Sequence, residues 1–276
     1  MPDFKVTKYR IRVGEGHRRP DAPFSAVLLS DLHNTSYGEN NGRLLSEIRN
    51  INPEVVLVAG DMLTSTREPQ MDAAIALMNE LTRKYPVYYV NGNHESRLRK
   101  EHEEAQEPYE NHSEAAGEYY DKYMSAIRSV GVHHLENTSE TLEILHMPIR
   151  VWGLELPLEY YGHFHSAQLT AGKIEELLGK PDTAAYQILL AHNPCHFEAY
   201  AAWGADLTLS GHLHGGIIRL PLLGGVVSPQ CRLFPKYDRG LFSRGDAKLV
   251  VSAGLGSHTV NIRINNPPEL VVLDFV

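Results

Sequence analysis

Apolar residues along the chain gather into short uninterrupted runs separated by polar turns. Residues 25–30, 54–59 and 87–90 are such runs, each followed by Asp, Gly or Asn. They predict strands buried on both faces. Between them, residues 43–50 and 71–84 repeat apolar positions at helical spacing, so the first half reads strand, helix, strand, helix, strand, the order of a parallel sheet. Farther on, residues 142–146 and 149–153 predict a hairpin turning at Met147-Pro148, and residues 166–178 a helix. Residues 186–191, 205–210, 248–252 and 269–275 predict further strands. Residues 96–130 break the pattern: Glu, Lys, Arg and Tyr dominate, which predicts a charged, helical, solvated insert. Its acidic run at 101–107 reads as a wet helix face, with a lid or specificity element as the alternative. No Ser/Gly/Pro linker divides the halves, so residues 1–276 are expected to form one domain.

Composition narrows the function classes. Of 276 residues 42% are hydrophobic and 22% charged, which excludes wholesale disorder. The apolar runs are strand-length, far short of the ~20 residues of a membrane helix. The greasy stretch 207–227 is interrupted by His212, His214 and Arg219, so no membrane span is expected. A net charge of −8 argues against an extended nucleic-acid surface. A phosphate substrate stays compatible, because bound cations reverse the local charge of a site. Two cysteines, Cys195 and Cys231, and an N-terminus without an apolar stretch predict a reduced, cytoplasmic setting, with peripheral membrane association still open. The unusual number is fifteen histidines.

Many of these fall where predicted strands end. Five segments do so: Asp31-Leu-His33, Gly60-Asp61, Gly92-Asn93-His94-Glu95, His192-Asn193-Pro194 and Gly211-His212-Leu-His214-Gly215. In α/β sheets the carboxyl ends of strands border the crevice where ligands bind. Asp-x-His and His-x-His put both side chains on one side of an extended segment. Imidazole, carboxylate and amide oxygen without thiolate form a donor set suited to Mn, Fe, Zn or Ni more than to Ca or Mg. Each fragment alone is common by chance; five in order at strand ends point to one metal site.

The ordered series resembles the motifs of the calcineurin-like metallophosphoesterases. Ala191-His-Asn-Pro194, the segment 210–216, and the tail from Gly254-Leu-Gly256 through Asn266-Pro-Pro-Glu269 are similar to the YkuE/YaeI-like subgroup. The match runs from about residue 25 to the C-terminus. It implies an α/β fold of two packed mixed β-sheets flanked by helices, and a hydrolase acting on a phosphodiester or phosphomonoester through a hydroxide bridging two divalent metals, manganese foremost in vitro. By resemblance, Asp31, His33, Asp61 and His214 would hold the first metal. Asp61, Asn93, His192 and His212 would hold the second, with Asp61 bridging. His94 would stabilise the phosphoryl group or protonate the leaving oxygen, with Glu95 orienting it. The alternatives are a pyrophosphatase for a sugar-nucleotide or lipid, and a non-catalytic scaffold of the same fold. Two departures stand out: the subgroup usually begins with an export or membrane segment, and the insert after Glu95 is long and charged.

Three further residues are candidates for substrate contact. His258 lies in a Gly-rich loop, and the guanidinium groups of Arg219 and Arg263 match phosphate geometry. His17, His102, His112, His146 and His196 are expected as surface or packing residues, and the His133-His134 pair and His163 and His165 on polar surface loops rather than as extra ligands. Most tyrosines are expected in the core or at its rim; stacking of Tyr160-Tyr161, before Gly162, on a substrate ring or acyl chain is an alternative that nothing in the sequence singles out.

Overall fold

The computed structural model describes residues 3–66, 68–105, 114–162, 167–216, 218–220, 224–227, 235–256 and 263–276. Its strands are β1 (Lys5–Ile11), β2 (Phe24–Leu29), β3 (Val55–Val58), β4 (Val87–Tyr89), β5 (His133–His134), β6 (Thr138–Ile144), β7 (Met147–Leu154), β8 (Tyr186–Ala191), β9 (Leu207–Ser210), β10 (Ile218–Leu220), β11 (Gly224–Val227), β12 (Gly240–Arg244), β13 (Ala247–Val251) and β14 (Glu269–Phe275). The helices are α1 (Gly42–Ile51), α2 (Asp72–Thr82), α3 (Asn93–Ala105), α4 (Glu114–Ser129), α5 (Ala171–Leu178) and α6 (Phe197–Trp203).

Two mixed six-stranded sheets carry the fold. One runs β1-β14-β2-β3-β4-β5 and the other β12-β13-β9-β8-β7-β6, with β10-β11 a separate hairpin. The period-two alternation of strand side chains decides what each residue meets. On β2, Leu28 faces inward, where with Leu57 it packs against Ile188, Leu209 and Val250 of the second sheet. Its neighbours Val27 and Leu29 face outward onto Leu44 and Ile48 of α1 and Leu77 of α2. Trp152, Leu189 and Leu249 on the far side of the second sheet are covered by α5 and α6. The result is helix, sheet, sheet, helix, with strands buried on both faces as their unbroken apolar runs require.

Several expectations shift once packing is in view. The hairpin turns at Leu145 and His146, both left-handed at φ 49° and 60°, and Ile144 pairs with Met147. Such a two-residue turn needs positive φ at both positions, which the ring of Pro148 forbids. Helix α5 begins at Ala171 because the Thr170 side chain accepts the Lys173 N–H and caps it there. Where it is described, the insert is helical, in α3 and α4, and α4 is only partly solvated: Tyr120, Tyr123, Met124 and Ile127 recur at helical spacing and are buried against the first sheet's helical layer, while the side chains of the acidic run at 101–107 lie outside the described residues. Strands β1, β5, β10, β11 and β12 and helix α6 are additions to the expected elements. Among the described residues, no helix is long and apolar enough to cross a membrane.

The five predicted segments extend the carboxyl ends of β2, β3 and β4 in one sheet and β8 and β9 in the other. These strands run parallel within each sheet. Their ends therefore open on one edge of the sandwich.

Because Ile127 is fully buried, Ile127→Ala is expected to destabilise the protein by about 2–5 kcal/mol in urea unfolding. A solvated helix face would lose no more than about 0.5 kcal/mol.

Candidate metal centre

The loops after β2 and β3 lie side by side. Asp31 N–H donates to Gly60 O at 2.9 Å, His33 N–H to Asp61 O at 3.2 Å and Asn34 N–H to Met62 O at 2.8 Å. To curl this tightly, five of the candidate residues adopt left-handed backbone conformations: Asp31 (φ 50°), His33 (46°), Asp61 (54°), His212 (72°) and His214 (51°). Such conformations cost a non-glycine residue about 1–2 kcal/mol each and cluster at functional sites. Two glycines make room. A Cβ on Gly92 would collide with the Asp61 carboxylate, and one on Gly211 with that of Asp31.

The side chains converge. Asp31, His33 and His214 form one buried group whose donor atoms lie within 4.8 Å of one another, and Asp61, His192 and His212 form a second. His33, Asp61 and His94 form a third that joins them. His33 Nε2 lies 3.2 Å from His214 Nε2, and His192 Nε2 lies 2.9 Å from Asp61 Oδ2. Asn93 is drawn in through the next peptide, since His94 N–H donates to Asp61 Oδ1 at 2.9 Å. The Asn93 Oδ1 atom is buried and accepts no hydrogen bond among the described residues. A buried amide oxygen left unpaired is destabilising unless something else binds it. A hard or borderline cation would bind that oxygen and the surrounding N/O donor set, so these residues suit the metals expected.

Second contacts orient the rings. His33 Nδ1 donates to Leu63 O (2.9 Å) and His192 Nδ1 to Ala59 O (2.5 Å), which turns each Nε2 toward the cluster. His94 is held the opposite way. The Ser65 N–H, which can only donate, meets His94 Nδ1 at 2.8 Å, so the neutral ring carries its proton on Nε2. His94 thus presents a donor to the site rather than a ligand lone pair. Glu95, expected to orient His94, instead accepts the backbone N–H groups of Asp61, Leu63 and Gly92, each at 2.9 Å. It braces the two loops, a role that spacing alone does not reveal.

Electrostatics follow from dense burial. For Asp61, burial works against ionisation, but the imidazoles of His192 and His94 outweigh it and hold the carboxyl well below its ordinary range. For His192, burial is likewise outweighed, here by Asp61 and Asp31, and its pKa rises to about 9. Burial lifts Asp31 to about 6 and, with the charge of Asp61, Glu95 to about 7. Burial and the neighbouring His192 push His212 well below the usual imidazole range. Without a metal, the centre is therefore knit by an Asp61–His192 ion pair, whose proton a cation would displace.

The remaining candidates make contacts of their own, Arg263 at the edge of the centre. Arg219 pairs with Asp238 at 2.7 Å and donates to Gly215 O at 3.2 Å, bracing the loop after β9. Arg263 donates to Ala253 O at 2.8 Å, and its Nη2 lies 3.2 Å from His214 Nδ1. Asn266, in the Asn-Pro-Pro tail, donates to the His214 and Gly216 carbonyls at 2.5 and 2.7 Å. His258 lies outside the described residues, as do His112, His163, His165 and Cys231. His133 pairs with Glu140 and His146 with Asp21, both well exposed, whereas His17 packs edge-on to Tyr186 and pairs with Asp206, and His134, in β5 rather than on a surface loop, has its Nε2 buried. A separate cluster of His134, Glu136 and Glu155 already holds a cation: Arg99 lies 2.5 Å from Glu136 and 3.0 Å from Glu155.

Metal uptake at pH 7 is expected to release protons, with His192 the principal source. A group with a pKa of about 9 is protonated there and must lose its proton to ligate. Apparent metal affinity should rise with pH up to about 9, by as much as about tenfold per unit for each proton released. Calorimetry in buffers of different ionisation enthalpy counts those protons; a count of zero at pH 7 contradicts the ion pair.

Comparison with known proteins agrees with this geometry. The profile of the calcineurin-like phosphoesterase family matches residues 24–216. Phosphodiesterase YaeI of Escherichia coli is 26% identical over 263 residues, covering 92% of this chain and 83% of its own. The metallophosphoesterase YkuE of Bacillus subtilis is 24% identical over 253 residues, covering 90% and 78%, and YkoQ of the same organism is 23% identical over 243 residues, covering 88% and 80%. The family match takes in the five strand-end segments and well over half of the sequence; the chain belongs to the calcineurin-like phosphoesterase family.

Proposed function

We propose that the protein hydrolyses a phosphodiester or phosphomonoester at a centre for two divalent cations. The observation that carries this reading is the meeting of two buried donor groups, Asp31/His33/His214 and Asp61/His192/His212, within one crevice. Asp31, His33, Asp61 and His214 would hold one cation. Asp61, Asn93, His192 and His212 would hold the other, so that Asp61 serves both. Cations bound there supply Lewis acidity to the phosphoryl oxygens and lower the pKa of the attacking water. The donor set suits Mn, Fe, Zn or Ni, and manganese is the ion to use first in vitro.

The chain's own residues do the rest. His94 directs its Nε2–H at the oxygens that gain charge as the ester breaks, held in that tautomer by the Ser65 N–H. Glu95 fixes the spacing of the Asp61 and Gly92 loops, so the donors need little rearrangement when charge develops. The relative YaeI is named a phosphodiesterase, which supports a diester as the first substrate to try. Inner faces of both sheets share one core, which supports residues 1–276 acting as one catalytic domain.

Hydrolysis of bis(4-nitrophenyl) phosphate with manganese tests the assignment. Asp61→Asn is expected to lower both metal content and rate, the rate by at least about 10³-fold. His94→Gln should keep its metal but lose about 10²–10³-fold in kcat, the loss typical of one preorganised donor. Full activity in Asp61→Asn contradicts the metal assignment, and full activity in His94→Gln contradicts the role of His94.

A further inference from the structure

Helix α3 starts at Asn93, so the residue one turn later shares its face. At about 100° per residue, Arg97 projects between Asn93 and His94, and helical side chains lean back over the preceding turn. Both Asn93 and His94 are tied to Asp61 through the His94 N–H, so this face of α3 fronts the candidate metal centre. Arg97 is half-buried and makes no hydrogen bond or ion pair with the described residues. That is unusual for a guanidinium in a crevice rich in carboxylates. The other flank of α3 is different: Ser96, Arg99 and Lys100 line a cavity of about 460 Å³ shared with Glu155 and Leu158, and Arg99 is already paired there.

Facing α3 is the short helical turn Leu158–Tyr161. Its last residue, Tyr161, is buried with its ring edge-on to His212 at 5.2 Å and tilted against His192 at 6.2 Å. Those two imidazoles belong to the second donor group. The Tyr161 hydroxyl has no hydrogen-bond partner among the described residues. Burial and the carboxylates of Asp61, Glu155 and Glu95 keep it protonated, and the charge of Arg97 acts on both Tyr161 and His212. A guanidinium and a hydroxyl, both uncommitted, thus border the side of the centre formed by Asp61, His192 and His212.

We propose that Arg97 and Tyr161 are substrate contacts, a donor pair that grips the non-bridging oxygens of the phosphoryl group above the second donor group. The inference rests on the phosphoesterase reading and adds to it the residues that bind the anion. Guanidinium meets phosphate through paired charge-assisted hydrogen bonds, whereas the tyrosine hydroxyl supplies one neutral donor. The larger share of the binding therefore falls to Arg97.

The test uses manganese-loaded full-length protein and inorganic phosphate as probe, with metal content measured alongside. Arg97→Ala should raise the Kd for phosphate, and the KM for bis(4-nitrophenyl) phosphate, by about 10–100-fold while retaining wild-type metal content. Arg97→Lys should recover part of that loss, and Tyr161→Phe should raise both constants about 3–10-fold. Unchanged phosphate affinity in Arg97→Ala, or loss of metal from it, overturns the inference while leaving the phosphoesterase reading in place. Wild-type protein that takes up no metal overturns both.

Discussion

The structure depends on bringing the Asp61 carboxylate, still ionised, into a place almost without water. It is 1% exposed, and a buried charge is tolerated only when it is paired and hydrogen-bonded. Every neighbouring element answers that demand. The His94 N–H reaches one oxygen and His192 the other. Glu95 grips the Asp61 N–H from across the gap between two strand ends. Gly92 lacks the Cβ that would strike the carboxylate. The His192 proton completes the neutralisation in a metal-free site, and a divalent cation would do so more fully. A binding site for cations is, in this sense, the stable way to keep Asp61 where the fold puts it.

Holding such a site has a conformational cost. Five of its residues sit in left-handed backbone conformations, together worth several kcal/mol if each costs about 1–2. That strain survives because the loops spring from strands packed between the two sheets. Leu28, Leu57, Leu190 and Leu209 are fully buried between the sheets. The interlocked N–H and carbonyl groups of residues 31–34 and 60–62 then leave the loops little freedom. Rigid strands set the positions and strained turns set the directions, so the imidazoles arrive already aimed.

Much of this was legible in the residue order. The apolar runs at β2, β3, β4 and β8 marked strands buried on both faces, and the Asp, Asn and His residues at their ends marked the crevice. What stayed hidden depends on contacts between segments distant in the chain. Glu95 looked like a partner for the adjacent His94, yet it bonds to Asp61 and Leu63, more than thirty residues away. Ser65 carried no signal, because its backbone N–H rather than its side-chain identity sets the His94 tautomer. Tyr161 could be picked out as aromatic, but that it packs on ligand-side imidazoles comes from the pairing of two sheets. In the insert, the periodic Tyr120, Tyr123, Met124 and Ile127 were masked by the surrounding charges, although their spacing is that of a core-facing helix.

The central claim is that Asp61 stands between two cations. Anomalous diffraction from manganese-soaked crystals locates such ions directly. Two peaks flanking the Asp61 carboxylate, one beside Asp31, His33 and His214 and the other beside Asn93, His192 and His212, are the predicted result. A single peak, no peak, or a peak confined to the cluster of His134, Glu136 and Glu155 would contradict the account.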